Sequence, residues 1–400
     1  MKKEILISMF DMEIGGIERS LINMLESFDY DRCNVSLLVC SHQGDFMSLI
    51  PPKVNVLPEI GAYTVFRKSL KQCIREGHYR TGLNRIRAKY IASRKSRQWN
   101  FSEGPGYIQM QLEAKYASRF LPELQHEYDL AISYAWPHTI IAAKVRAKHK
   151  VAWIHTDYSK LEIDNALDLE GWSQYDQIAS ISEACTQSFL LKYPSLKDKI
   201  IPIENITSPA FVQALAEEQV DTEIQQGDFF NLVSVGRLSH VKGFDMAIKA
   251  LKLLHNKGLT NIKWHVVGYG GFEAELRPLI AEYHLEDSFL LRGKKTNPYP
   301  FIKQCDLYVQ PSRYEGKAVT VTEAQILGKP VIITNYPTSS SQVTHGKDGM
   351  ICNISPEGIA DAIEQLYKDQ ELRDKLADYV KAQNYSNSSE LDKLYDMMRS

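Results

Sequence analysis

Short apolar runs alternate with stretches of helical period along the whole chain. In the first half, strands are predicted at Glu4–Met9, Asn34–Cys40, Asp129–Ser133, Lys150–His155 and Gln177–Ile181, with helices such as Ile17–Phe28 and Tyr107–Phe120 between them. In the second half they fall at Phe229–Val235, Ile262–Val267, Phe289–Leu291, Asp306–Val309 and Pro330–Thr334, each followed by a helix-period segment. Strands alternating with helices in this way predict an α/β chain of parallel sheets covered on both faces. Pro202, Pro209 and the polar stretch Glu217–Asp228 interrupt the pattern, so a hinge is expected between Asn205 and Asp228. The expected organisation is a first doubly wound domain over 1–205, a linker over 206–228 and a second doubly wound domain over 229–384. A last segment, 385–400, carries a short helix (Glu390–Met398) able to pack back on the first domain. Two such domains facing one another leave a central cleft at the carboxyl ends of their strands, where ligands of open parallel sheets bind.

Length and composition narrow the class. The 400 residues, 44% hydrophobic and 24% charged, suffice for two cores and do not resemble a disordered or disulfide-scaffold chain. Lys plus Arg (47) nearly balances Asp plus Glu (49), so a nucleic-acid partner is not expected. The six cysteines form no C-x-x-C pair, which argues against structural zinc and for a reducing cytoplasm. No apolar run approaches the ~20 residues that span a bilayer. At the start, Glu4 follows Lys2 and Lys3 and the apolar stretch is too short for a signal peptide, so it is expected to be a buried strand. The balanced charge hides one asymmetry: residues 66–98 hold eleven Lys or Arg against the single acid Glu76. A solvated helix face is the plain reading. The alternative is an arm lying on an anionic membrane surface, since the cations are interleaved with Phe66, Tyr79, Tyr90 and Ile91.

Candidate chemistry lies just after strands. Following Leu307–Gln310, the tract from Pro311 to Pro330 holds Glu315 in a Gly-containing turn and Glu323 in the helix that the turn opens. Eight residues at a helical rise would separate their Cα atoms by roughly 8–12 Å, a span that suits the two polyol ends of a nucleotide sugar. Between them the N–H groups of Gly316, Lys317 and Ala318, leading into Val319, form a helix start that attracts a diphosphate. A turn residue and a solvated helix residue would be the plain alternative. After Phe229–Val235, Gly236-Arg237 and Lys242-Gly243 offer a guanidinium and an ammonium for the same diphosphate, or else a surface pair beside a turn. After the first strand, Gly15-Gly16 permits close backbone approach of a ligand before a helix.

Neither there nor at Gly268-Tyr269-Gly270 is a G-x-G-x-x-G fingerprint completed, which lowers the prior for a dinucleotide-dependent oxidoreductase. His155 and Asp157 end another strand, where an imidazole can hydrogen-bond a sugar hydroxyl or a departing phosphate. Ser182-Glu183 is a weaker candidate of the same kind and could be a helix cap. Asp29-Tyr30-Asp31 has the spacing of an acidic metal pair but falls at the opposite ends of the strands, and is assigned to turn chemistry. With no other metal-ligand spacing, no metal is expected.

Together these residues resemble the retaining GT-B glycosyltransferases of family 4, over nearly the whole chain and most closely from Phe229 to Ile351. The resemblance implies two Rossmann-like domains and a nucleotide-sugar donor, uridine-linked. It implies that Glu315 contacts the donor sugar, that Glu323 holds the ribose, and that Arg237 and Lys242 bind the diphosphate. Gly16 then contacts the phosphates through its backbone, and His155 lies beside the sugar. Glu-Gly-Lys-Ala replaces the common Glu-Gly-Phe-Gly, putting Lys317 and Ala318 in the sugar pocket. The tract looks like members that build capsule, O-antigen or exopolysaccharide, so a saccharide acceptor carried on a polyprenyl diphosphate is implied. Transfer would retain the anomeric configuration without a metal or other cofactor, at the cytoplasmic face of the membrane. A nucleotide-sugar epimerase of the same fold and a non-catalytic partner subunit are the competing classes.

Overall fold

The computed structural model describes residues 2–102, 104–224 and 227–399. By its internal contacts the chain divides into two units, Met1–Ile206 with Asn387–Ser400, and Thr207–Ser386.

The first unit is built on a seven-stranded sheet: β1 Lys3–Met9, β2 Cys33–Val39, β3 Asn55–Val56, β4 Glu127–Ser133, β5 Arg146–Ile154, β6 Gln177–Ser180 and β7 Ile200–Pro202. Its order is β3-β2-β1-β4-β5-β6-β7, with every neighbouring pair parallel. Helices α1 Gly16–Ser27, α2 Leu70–Arg75, α3 Tyr79–Gln98, α4 Gly106–Ala117, α5 Thr139–Lys144, α6 Asn165–Trp172 and α7 Glu183–Lys192 connect the strands. The second unit contributes α8 Pro209–Ala216, β8 Phe230–Val235, α9 Phe244–Asn256, β9 Ile262–Val267, α10 Glu273–Glu282, β10 Phe289–Gly293, α11 Tyr299–Gln304 and β11 Leu307–Gln310. It continues with α12 Val319–Ile326, β12 Val331–Thr334, β13 Met350–Cys352, α13 Pro356–Lys368 and α14 Gln370–Lys381. Its six strands are again all parallel, in the order β10-β9-β8-β11-β12-β13. A final helix, α15 Asp392–Met397, returns to the first unit, where Tyr395 packs edge-on against Phe28 and its hydroxyl accepts the Asp29 N–H.

The apolar runs are continuous because both faces of each sheet are covered. Side chains alternate sides along a strand. Leu232, Leu307, Val309 and Ile332 enter one core, with Trp264, Leu251 and Ile363. Val233, Tyr308, Val331 and Ile333 enter the other, with Tyr299, Val321 and Tyr336. Each fully buried side chain of this size contributes about 1.5–3 kcal/mol.

The observed elements depart from expectation in defined places. Strands β3, β7 and β13 are too short to give a sequence signal. Strand β5 begins at Arg146 rather than Lys150 and stops at Ile154, so His155 lies just beyond it. The expected linker contains α8, whose Val212 and Ala216 are buried in a core of the second unit, so the chain enters that unit at Thr207. Residues 225–226 of that stretch lie outside the described ones. At the other end of the first sheet, Asp29 Oδ1 accepts the Asp31 N–H at 3.0 Å, a local turn. All six cysteines are free and buried, and burial pushes the thiols of Cys40, Cys305 and Cys352 up to about 12.

Candidate functional site

In the second sheet the winding reverses between β8 and β11, and the chemistry-bearing loops leave the carboxyl ends of those two strands. The loop after β8 carries Arg237 and Lys242, and the loop after β11 carries Glu315. Gly243 makes their approach possible: its φ is +70° and a Cβ there would lie 2.0 Å from the Pro311 carbonyl oxygen, so no other residue fits without displacing the backbone. Arg313 fastens the two loops. It pairs in a fork with Asp245 at 2.7 and 2.6 Å, donates to the His240 carbonyl and, through its backbone N–H, to that of Val241. Burial would raise the Asp245 carboxyl, but the hydrogen bond and charge of Arg313 outweigh it and hold the group below its usual value.

The fastening brings Lys242 Nζ within 2.5 Å of Glu315 Oε1. The same oxygen accepts from Ser312 Oγ at 2.6 Å and Gln310 Nε2 at 3.0 Å, while Thr338 holds the Glu315 carbonyl. Among the described residues nothing donates to Oε2. Glu315 is thus a fixed, nearly buried carboxylate with one oxygen held by three donors. Arg237 is exposed and has no carboxylate within ion-pair reach among the described residues. The two cations expected to act alike therefore differ: one is engaged by the acid, the other is not.

Helix α12 opens at Val319 with Ala318 as its N-cap. The helical rise consequently applies only from Val319 onward, and the separation worked out for a continuous helix does not hold for Glu315 to Ala318. Of the three N–H groups expected to be open to a diphosphate, that of Ala318 is occupied: it donates to Gln342 Oε1 at 3.1 Å, and Gln342 Nε2 returns a bond to the Ala318 carbonyl at 2.6 Å. This amide clasp pins the helix start. Beyond Gly316 a Cβ would meet nothing within 4 Å, so packing does not require the glycine. Glu323 is fully buried, not solvated, and accepts from the Tyr299 hydroxyl at 2.7 Å. The glycines Gly268 and Gly270 serve packing, since Cβ atoms there would lie 1.9 Å from the Gly236 carbonyl and 2.3 Å from that of Leu238.

Gly16 and His155 belong to the first unit. Gly16 is the first residue of α1, which follows β1 at that sheet's own reversal point, and a Cβ on it would meet nothing within 4 Å. His155 Nε2 lies 2.8 Å from the Tyr134 carbonyl oxygen. A carbonyl can only accept, so Nε2 carries the proton and Nδ1 the lone pair in the neutral ring. Desolvation drives this imidazole down to about 3, against the raising effect of the Tyr134 carbonyl, so it is neutral near pH 7. Tyr134 in turn donates its hydroxyl to Ser20 Oγ on α1, and Ser20 donates to Asn205 Oδ1, each at 2.8 Å. The remaining candidates have local roles: Asp157 Oδ1 accepts the Ser159 N–H, and Ser182 caps α7 by accepting the Cys185 N–H. Sequence reasoning passed over Gln310, Ser312, Arg313, Tyr299 and Gln342, of which Ser312 and Arg313 lay in the Pro311–Pro330 tract already singled out. Among the described residues, no three or more His, Cys, Asp or Glu side chains converge as a metal site.

The fold matches solved structures along essentially its full length. Anabaena HepE, solved in complex with UDP and glucose, superposes with a TM-score of 0.68 at 18% identity, covering 99% of both chains. A variant of S. aureus TarM superposes at 0.69 and 16% identity, covering 100% of both. The chain thus has the GT-B fold, two Rossmann-like units. Residues 217–383 match the family described as glycosyl transferases group 1. Among curated relatives, the lipopolysaccharide core biosynthesis glycosyltransferase LpsD of Rhizobium meliloti is 31% identical over 182 residues, 45% of this chain and 51% of that protein. The amylovoran biosynthesis glycosyltransferase AmsK of Erwinia amylovora is 31% identical over 143 residues, 34% of each. The matches span about a third to a half of these relatives' length.

Proposed function

We propose that this protein transfers a sugar from a nucleotide sugar, uridine-linked, to a saccharide acceptor, with retention at the anomeric carbon and without a divalent metal. The observation that carries the reading is the Lys242–Glu315 contact between the two loops at the reversal of the second sheet, with Glu323 buried in the helix that follows. A carboxylate with one oxygen held by three donors can offer its other oxygen to a sugar hydroxyl. A diphosphate arriving at the same point would draw on the Lys242 ammonium and on the unengaged Arg237 guanidinium, both charge-assisted donors. Tyr299 fixes the orientation of Glu323 for a ribose. The support from relatives is that HepE was solved with UDP and glucose and that LpsD and AmsK are named as glycosyltransferases of lipopolysaccharide core and amylovoran biosynthesis.

In this reading Arg237 and Lys242 stabilise the charge developing on the leaving diphosphate, whose oxygen receives the acceptor proton. His155, neutral, accepts a hydrogen bond from a sugar hydroxyl through Nδ1 and takes no proton. Gly16, Lys317, Ala318 and Val319 contribute backbone close to the donor. A polyprenyl-diphosphate carrier would present the acceptor at the inner face of the cell membrane.

Thermal-shift screening with nucleotides, followed by NMR of each stabilising donor with acceptor saccharides, tests this. A UDP-sugar at about 100 Kd should stabilise by about 2.7 kcal/mol, and an α-linked donor should give an α-linked product with or without a chelator. Epimerised free donor in the absence of acceptor would convert the reading to an epimerase. No nucleotide response at all would leave a partner subunit.

A further inference from the structure

The basic stretch 66–98 forms α2 and α3, and its apolar residues take positions that charge counting does not reveal. Tyr79, Leu83, Ile86 and Tyr90 are 61%, 69%, 52% and 71% exposed. At 100° per residue these four fall within about 60° of arc along about 16 Å of helix. The opposite face is the packed one. Ala88 and Ala92 are buried against Ile108 and Leu112 of α4, while Arg85 and Lys95 pair with Glu113 and Asp164. Helix α3 is therefore anchored on one side and shows an apolar stripe on the other. Leu70 and Ile74 of α2, also exposed, reach its amino-terminal end beside Gly82.

The cations sort in the same way. Arg67, Lys68, Arg85 and Lys95 are paired with carboxylates. Lys71, Arg75, Arg80, Arg87, Lys89, Arg94 and Arg97 are all exposed, and none has a carboxylate partner among the described residues. On α3, Arg80, Arg87 and Arg94 flank the stripe on one side and Lys89 on the other.

We infer that this face of α2 and α3 is an insertion surface for an anionic lipid bilayer, with α3 lying in the interface plane. The aromatic rings and Leu83 and Ile86 enter the acyl boundary while the cations without carboxylate partners meet lipid phosphates, as in interfacial helices with an apolar stripe between basic flanks. A second copy of the chain fits worse, because pairing this stripe with itself would set Arg87, Lys89 and Arg94 against like charges. The inference requires nothing of the transfer reaction.

The test is sedimentation of the whole protein with phosphatidylcholine vesicles, with and without phosphatidylglycerol, at about 0.15 M and about 1 M salt. Binding should require phosphatidylglycerol and weaken at the higher salt. Arg87→Gln with Lys89→Gln should weaken it about 30-fold, roughly fivefold for each cation removed. Leu83→Gln with Ile86→Gln should weaken it at least tenfold, with nucleotide-induced thermal shifts unchanged. Tyr90→Ser serves the same purpose should the double variant melt early. The inference is overturned by absence of vesicle binding, which would point to an acidic protein partner, by equal binding to neutral vesicles, or by undiminished binding of the apolar variants. It is also overturned by a dimer in light scattering that Leu83→Gln with Ile86→Gln dissociates.

Discussion

Lys242 stands between two demands, and a double-variant cycle separates them. In the resting chain its ammonium meets Glu315 Oε1 at 2.5 Å, with the two side chains 24% and 10% exposed. Lys242→Met removes the one charged donor and leaves the carboxylate with Ser312 and Gln310. An under-compensated, nearly buried carboxylate costs about 1–3 kcal/mol, and the Tm of a unit this size should fall by roughly 2–4 °C per kcal/mol. Combining Lys242→Met with Glu315→Gln removes both charges, so the Tm should largely recover. Turnover should not. In both variants the leaving diphosphate loses a preorganised donor worth about 3–4 kcal/mol, so kcat should fall about 10²–10³-fold and stay there. Arg237→Ala completes the comparison: exposed and unpaired in the resting chain, it should change stability by no more than about 0.5 kcal/mol while lowering kcat by a similar factor. Melting curves and initial rates on the same preparations decide the matter. The reasoning fails if turnover recovers along with the Tm in the double variant, or if Arg237→Ala melts as early as Lys242→Met.

Three further outcomes are expected. Gly243→Ala should destabilise the second unit by at least about 1–3 kcal/mol, since it adds both a disfavoured backbone conformation and a clash with the Pro311 carbonyl; urea unfolding would measure it, and a neutral result would contradict the close loop approach. Tyr299→Phe should weaken UDP binding by about tenfold, as expected when a charged group loses a hydrogen bond of about 1.5 kcal/mol, with calorimetry as the readout and unchanged affinity as the refutation. The third concerns acid. His265 is fully buried, pushed down to about 4 first by burial and then by Arg292, whose Nε donates to its Nδ1 at 3.1 Å. Because the folded value lies below the unfolded one near 6.5, its contribution is complete above pH 6.5 and is lost as pH falls toward 4. From pH 7 to 5 the second unit should lose about 2 kcal/mol on this account, and His155, held down to about 3, should act in the same direction in the first unit. Calorimetric scans at the two pH values, showing no such loss, would refute the neutral-histidine assignment.

The strand pattern was legible because doubly covered parallel strands are apolar on both faces and stand out as runs, whereas β3, β7 and β13 are two or three residues long at or next to the margins of their sheets. The tracts after strands were equally legible, since the positions of Glu315, Lys242 and Gly16 follow from where runs end. Helix α8 was hidden behind Pro209, which is compatible with a helix start as much as with a linker.

What the sequence determined by itself is therefore the repertoire: which residues end strands, which glycines punctuate them, and a helical period that puts Tyr79, Leu83, Ile86 and Tyr90 on one stripe. What only the tertiary structure decided is partnership and side. Lys242 and Glu315 are 73 residues apart and meet because β8 and β11 are neighbours at the reversal of the sheet. The stripe on α3 faces outward because Ala88 and Ala92, small enough for close helix contact, face α4 instead. Local chemistry fixes the period of a pattern, but the choice of which face is buried belongs to the free energy of the whole packed unit.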